Sequence, residues 1–179
     1  MNLILIGYRA TGKTTLARLL AERLGWDWVD ADVEIERRAG KPIARIFAED
    51  GEPAFRGWEV EVTGDLCRRD RMVLAAGGGA PMRPENRQAM RQGGKVVWLK
   101  ATPETIYGRM SSDPTTVGRR PKLTDRGGLE EIEQLLLKRT PIYHDLAHLD
   151  VDTEGKTPQQ LVAEILDRLQ LTPEAEETA

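Results

Sequence analysis

The chain has 179 residues, 40% hydrophobic and 31% charged, with a formal net charge of −3. That length suits one domain burying about two-thirds of its unfolded surface, and the mild acidity argues against a general nucleic-acid binder. A lone cysteine, Cys67, leaves no internal disulfide. No apolar run approaches the roughly 20 residues of a membrane span, so the chain reads as a cytoplasmic protein with no membrane partner.

Leu3-Ile4-Leu5-Ile6 is a short apolar run that predicts a buried strand. It runs into Gly7-Tyr8-Arg9-Ala10-Thr11-Gly12-Lys13-Thr14, which fits G-x-x-x-x-G-K-[ST] at every fixed position. Leu16, Leu19, Leu20 and Leu24 then repeat at helical spacing. Strand, glycine loop and helix are the context in which backbone N–H groups and a helix N-terminus receive phosphate. Lys13 supplies an ammonium for β- and γ-phosphates, and Thr14 a hydroxyl for Mg²⁺.

Further along, Trp26 to Val29 predicts a second strand ending in Asp30-Ala31-Asp32, and Val33 to Arg38 a helix. Alternation along an extended chain would point both aspartates the same way, one toward the metal's water shell and one toward a substrate hydroxyl. The plain alternative is a solvated turn with Asp32 as a helix cap. Pro42 to Asp50 reads as a short helix, broken at Gly51, and Pro53 to Arg69 as a longer one carrying Arg56 and Cys67. Met72 to Ala75 predicts a third strand that empties into Gly77-Gly78-Gly79, where backbone can approach a ligand closely. Pro84 to Gln92 reads as helix, Lys95 to Leu99 as strand, and Pro103 as a helix start.

Ser111 to Gly128 has no hydrophobic period and reads as a mobile lid. Leu129 to Tyr143 returns to helix and carries Arg139, Leu149 to Asp152 is a fifth strand, and Thr157-Pro158 opens a last helix to Leu169. Residues 172–179 form an acidic tail expected to be disordered. Five apolar strands alternating with helices predict an α/β domain over residues 1–171, with a five-stranded parallel sheet flanked by helices on both faces. Ligands in such sheets sit beyond the carboxyl ends of the strands, which gathers the phosphate loop, the two aspartates and the triple glycine. Arg56 and Arg139 are candidates for gripping an anion, although composition alone favours two solvated helix arginines. His144 and His148 read as surface residues.

Lys13-Thr14, Asp30-Ala31-Asp32, Phe55-Arg56, Gly77-Gly78-Gly79, Arg120-Pro121-x-Leu123 and Lys138-Arg139-x-Pro141-x-Tyr143 occur in an order that resembles the shikimate kinases. The resemblance covers nearly the whole chain. It implies a P-loop kinase fold of the nucleoside-monophosphate-kinase group with a mobile lid, and phosphoryl transfer from ATP to the 3-hydroxyl of shikimate. By the same resemblance Gly7, Ala10, Thr11, Gly12, Lys13, Thr14 and Thr15 would bind ATP, with Arg109 and the loop after Val151 flanking adenine. Asp32 would hold and deprotonate the substrate, Arg56 and Arg139 would clamp its carboxylate, and Gly77, Gly78 and Gly79 would meet it through backbone. Thr14, and Asp30 through water, would serve Mg²⁺. Lys13, Asp32 and the lid arginine Arg120 would be the catalytic residues, with Arg119 as the alternative lid arginine.

Two departures from the family pattern stand out: Tyr8 and Arg9 are bulky for the phosphate loop, and the lid is a few residues longer than usual. Another small-molecule kinase of the same fold, such as one acting on gluconate or a nucleotide, and a noncatalytic nucleotide-binding regulator are the rival readings. The partner expected is a small molecule, the protein acting as a monomer.

Overall fold

The computed structural model of the protein describes residues 1–112 and 128–172. Strands β1 (Asn2–Ile6), β2 (Asp27–Asp30), β3 (Met72–Ala75), β4 (Gly94–Lys100) and β5 (Leu149–Asp152) make one sheet in the order β2-β3-β1-β4-β5. Every pairing is parallel. Eight α-helices lie among the described residues: α1 (Lys13–Leu24), α2 (Ala31–Ala39), α3 (Ile43–Glu49), α4 (Gly51–Cys67), α5 (Pro84–Gly93), α6 (Pro103–Ser112), α7 (Leu129–Leu146) and α8 (Pro158–Arg168). None is long and apolar enough to cross a membrane.

The central strand shows why its run is apolar without alternation. Leu3 and Leu5 point to one face, where Leu16, Leu20 and Leu24 of α1 and Leu161 and Ile165 of α8 cover them. Ile4 and Ile6 point to the other, into a cluster with Ile35, Phe55, Val62, Leu66 and Tyr143. A strand buried on both sides needs apolar residues at both parities. Each such side chain contributes about 1.5–3 kcal/mol relative to exposure. A third cluster joins Tyr8 of the phosphate loop to Ile106 of α6 and Ile132 of α7.

Four local expectations change. The second strand runs Asp27–Asp30, not Trp26–Val29, because its register against β3 pairs Asp27 with Met72 and Asp30 with Ala75. The next helix begins at Ala31, so Asp30 is its N-cap and Asp32 already lies in its first turn. The alternation argument for the two aspartates therefore fails, since only Asp30 belongs to a strand. Helix α4 starts at Gly51 itself, with Asp50 the single joint between it and α3. A 3₁₀ turn, Ala80–Met82, follows the triple glycine where only loop was read.

Helix α7 runs three residues beyond Tyr143 and contains Pro141. Proline gives no N–H to the Leu137 carbonyl, and the helix carries this gap on a turn where Leu137 is 79% exposed. The proposed lid keeps only Ser111, Ser112 and Gly128 among the described residues, the two serines closing α6. Arg119 and Arg120 lie outside them, as does the tail beyond Thr172.

Candidate active site

β3 lies between β2 and β1, so the carboxyl ends of these three strands are neighbours. Beyond them stand the phosphate loop, the α2 N-terminus and the triple glycine. Gly7 takes a φ of 143°, and a Cβ there would lie 2.5 Å from the Leu99 carbonyl oxygen, so no larger residue fits. Ala10 is held in the left-handed region at φ 60°, which costs about 1 kcal/mol. The Thr11 hydroxyl donates to the Tyr8 carbonyl at 2.8 Å and is buried, so this side chain braces the loop, and only its backbone could meet a phosphate. Gly12 caps α1. Lys13 Nζ donates to the carbonyls of Gly7 (3.0 Å) and Tyr8 (2.6 Å), neutral acceptors that an anionic phosphate oxygen can replace. Thr15 is exposed on the first turn of α1.

The Thr14 hydroxyl donates to Asp30 Oδ2 at 2.6 Å. The other Asp30 oxygen accepts from the backbone N–H groups of Asp32 (2.9 Å) and Val33 (3.4 Å). Capping thus fixes the carboxylate while aiming its second oxygen at Thr14. Two hard oxygens side by side at a phosphate loop fit Mg²⁺, which takes one or two protein oxygens and fills its shell with phosphate and water. No cluster of three or more His, Cys, Asp or Glu that could hold a metal exists among the described residues. Asp32, in the first turn of α2, sits where the positive end of the helix favours its anion.

On the other side of the loop, two guanidiniums meet consecutive glycines. Arg56 of α4 is 17% exposed and donates to Glu59 Oε2 at 2.9 Å and to Glu52 Oε1 at 3.1 and 3.2 Å. Burial alone would lower the Arg56 pKa, but the neighbouring Glu59 and Glu52 carboxylates outweigh it and raise it. Its Nη1 stands so near Gly79 that a Cβ there would be 2.8 Å away. Arg139 of α7 is 8% exposed and donates from Nη1 to the Gly78 carbonyl at 3.3 Å. Tyr143, one turn on, donates its hydroxyl to the same carbonyl at 2.5 Å. The Gly77 carbonyl accepts from the Ala80 N–H at 3.0 Å and so opens the turn that leads into the 3₁₀ segment.

Arg109 donates to the Ala10 carbonyl and the Thr153 hydroxyl, both at 3.3 Å. This ties α6 to the phosphate loop and to the loop after β5. Cys67 is buried and its thiol is pushed up to about 12 by desolvation, so it is inert packing. His148 is not a purely surface group: its Nδ1 accepts from the Val96 N–H at 3.0 Å, and burial lowers its pKa. A cavity of about 480 Å³ backs onto the loop, lined by Tyr8, Thr11, Trp98, Ile106 and Leu136 among others. It shares the back of the loop with the site but includes neither the aspartates nor the two arginines.

Sequence reasoning missed three residues here. Glu59, 1% exposed, was signalled by its spacing of three from Arg56 on one helix face. Tyr143 was quoted only as part of a motif, and Tyr8 only as bulk in a loop.

A family model described as shikimate kinase matches residues 9–170. A shikimate kinase of Symbiobacterium thermophilum is 44% identical over 170 residues, covering 95% of this chain and 97% of its own. A solved structure described as shikimate kinase from Acinetobacter baumannii in complex with shikimate superposes with a TM-score of 0.88 at 36% identity, covering 94% of this chain and 92% of its own. A gluconokinase structure from Sinorhizobium meliloti reaches 0.57 at 14% identity, covering 94% and 91%, a likeness of fold alone.

Proposed function

The chain belongs to the shikimate kinase family, and we propose that the residues gathered here divide the work of that family's reaction as follows. The protein is an ATP-dependent kinase, transferring the γ-phosphoryl group to the 3-hydroxyl of shikimate. One observation carries the assignment of its substrate grip: Arg56 and Arg139 converge on Gly79 and Gly78 beside the phosphate loop. Two planar forks at one spot match a carboxylate, which accepts paired hydrogen bonds. The absence of Cβ at both glycines lets the forks lie against backbone.

The loop N–H groups and the N-terminus of α1 receive the phosphates of ATP. Lys13 exchanges the Gly7 and Tyr8 carbonyls for β- and γ-phosphate oxygens and balances charge as it spreads in the transition state. Thr14, and Asp30 through water, would hold Mg²⁺, which supplies further neutralisation of phosphate charge when bound. Asp32 orients the acceptor hydroxyl. Its oxygen bonds to the γ-phosphorus as the bond to the bridging oxygen of ADP breaks, and the hydroxyl proton passes to the Asp32 carboxylate. The carboxylate grip fixes the ring so that this hydroxyl faces the loop. Arg109 flanks the adenine side, and Arg120, outside the described residues, is assigned to the lid over 111–128.

We read residues 1–171 as one catalytic unit working as a monomer in the cytoplasm, a setting that suits the buried thiol of Cys67. Coupled ADP release with shikimate, gluconate and nucleoside monophosphates tests the assignment. Turnover is expected with shikimate and at least a hundredfold less with the others. Comparable turnover of gluconate would remove it.

A further inference from the structure

Tyr8 joins two halves of the site that are far apart in sequence. Its carbonyl accepts from Lys13 Nζ at 2.6 Å and from the Thr11 hydroxyl at 2.8 Å, which pins its backbone in the phosphate loop. Its side chain leaves the loop and is 1% exposed, packed against Ile106 and Ile132. The Arg139 guanidinium carbon lies 5.3 Å from the centre of its ring. That is within the roughly 6 Å at which a cation is drawn to an aromatic face.

Arg139 needs such support. Among the described residues, its hydrogen bonding is the long 3.3 Å contact to the Gly78 carbonyl. One long bond from a group with five N–H donors does not set the plane of the fork. A ring braced by two buried isoleucines does, because it restricts where the guanidinium can lie without spending any donor. The donors then remain for a planar anion. Resting on the reading of Arg139 as a carboxylate grip, we propose that the Tyr8 ring is the platform that holds the Arg139 guanidinium, making Tyr8 a positioning residue for affinity toward the acidic substrate.

Two further facts agree. Burial raises the Tyr8 pKa, with Arg9 and Arg139 opposing, so the phenol is neutral at pH 7 and acts through its ring. Arg9 also places its guanidinium carbon 5.9 Å from the ring centre, so two cations approach the ring. The platform is independent of the loop's own chemistry, which uses only the backbone of Tyr8.

Calorimetric titration of shikimate and ATP separately into wild type, Tyr8→Phe, Tyr8→Leu, Arg139→Ala and Tyr8→Leu/Arg139→Ala tests this, with melting curves to confirm folding. Tyr8→Leu should raise the shikimate Kd between about twofold and thirtyfold, the range of partly desolvated cation–ring contacts. The ATP Kd should move less than twofold. Tyr8→Phe keeps the ring and should restore wild-type affinity for shikimate. Once Arg139 is alanine, Tyr8→Leu should add nothing. An undiminished shikimate Kd effect of Tyr8→Leu in that background overturns the platform, as does a parallel loss for ATP. An unchanged shikimate Kd in Tyr8→Leu, with a large rise in Arg139→Ala, overturns the platform but leaves the grip standing. No rise in Arg139→Ala overturns both. If Tyr8→Leu does not fold, Tyr8→Met, unbranched and apolar, is read by the same criteria.

Discussion

Gly79→Ala separates the site from the fold. An alanine Cβ would lie 2.8 Å from Arg56 Nη1, whereas ordinary contact begins near 3.4 Å. The guanidinium must therefore retreat by about 0.6 Å, the difference of those two distances. A charge-assisted bond of about 2.8 Å stretched by that amount reaches the edge of hydrogen-bonding range. Losing most of one such bond is worth about 1.5–3 kcal/mol, or roughly 10- to 150-fold in shikimate affinity. Stability should hardly suffer. Gly79 has a φ of −94°, which alanine adopts without strain, and the clash falls on the end of a flexible side chain. Removing a glycine also restricts the unfolded chain, which adds about 0.4–1 kcal/mol. Titration of shikimate and ATP with paired melting curves reads both effects. An unchanged shikimate affinity with a folded protein would refute the convergence of Arg56 on this backbone. A large fall in melting temperature would refute the claim that the clash is local.

Four shorter predictions accompany it. Lys13→Ala should leave the melting temperature near wild type and lower kcat at least a hundredfold, and steady-state rates within about tenfold would contradict the phosphate role. Arg56→Ala and Arg139→Ala should each weaken shikimate by about 2–5 kcal/mol and ATP far less, as separate titrations would show. Tyr143→Phe removes the donor that holds the Gly78 carbonyl at 2.5 Å; a lost buried bond of about 1–2 kcal/mol should lower the melting temperature by roughly 2–8 °C. Arg37, aided by Arg38 and opposed by burial, holds the Glu34 carboxyl at about 2 against an ordinary 4.5. A depressed acid stabilises above its unfolded value, so the unfolding free energies of wild type and Glu34→Gln, read from urea titrations, should differ at pH 7 by about 1–2 kcal/mol after solvent screening. That gap should close as pH falls from about 4.5 toward 2, and a constant gap would exclude the ion pairs as its source.

Much of this was legible in the chain because its signals are local. The buried strands announce themselves as apolar runs, and the phosphate loop as fixed glycines between a strand and a helix. The second strand was misplaced because it lies at the sheet edge, where Trp28 stays 39% exposed and polarity no longer marks the boundary. Asp30 and Asp32 were read as alternating strand residues because both capping and alternation suit an Asp-x-Asp sequence. Only the hydrogen bonds of the Asp30 carboxylate decide for a cap, and they place it at Asp30 and not at Asp32, the residue the capping alternative had named. Arg56 and Arg139 could not be separated from solvated helix arginines by any local rule, and the family resemblance supplied their pairing before geometry did. Tyr8 was invisible as a platform, since its partner comes from a helix near the other end of the chain.

The central claim is that two guanidiniums at Gly78 and Gly79 grip a carboxylate and so aim a hydroxyl at the phosphate loop. The most direct test compares kcat/KM for shikimate with that for its methyl ester, which keeps the ring and hydroxyls but not the charge. The account predicts a loss of at least thirtyfold for the ester, from the 2–5 kcal/mol typical of a truncated buried charge pair. In Arg56→Ala and Arg139→Ala the difference between acid and ester should shrink. An ester turned over as efficiently as the acid by the wild-type enzyme would contradict it.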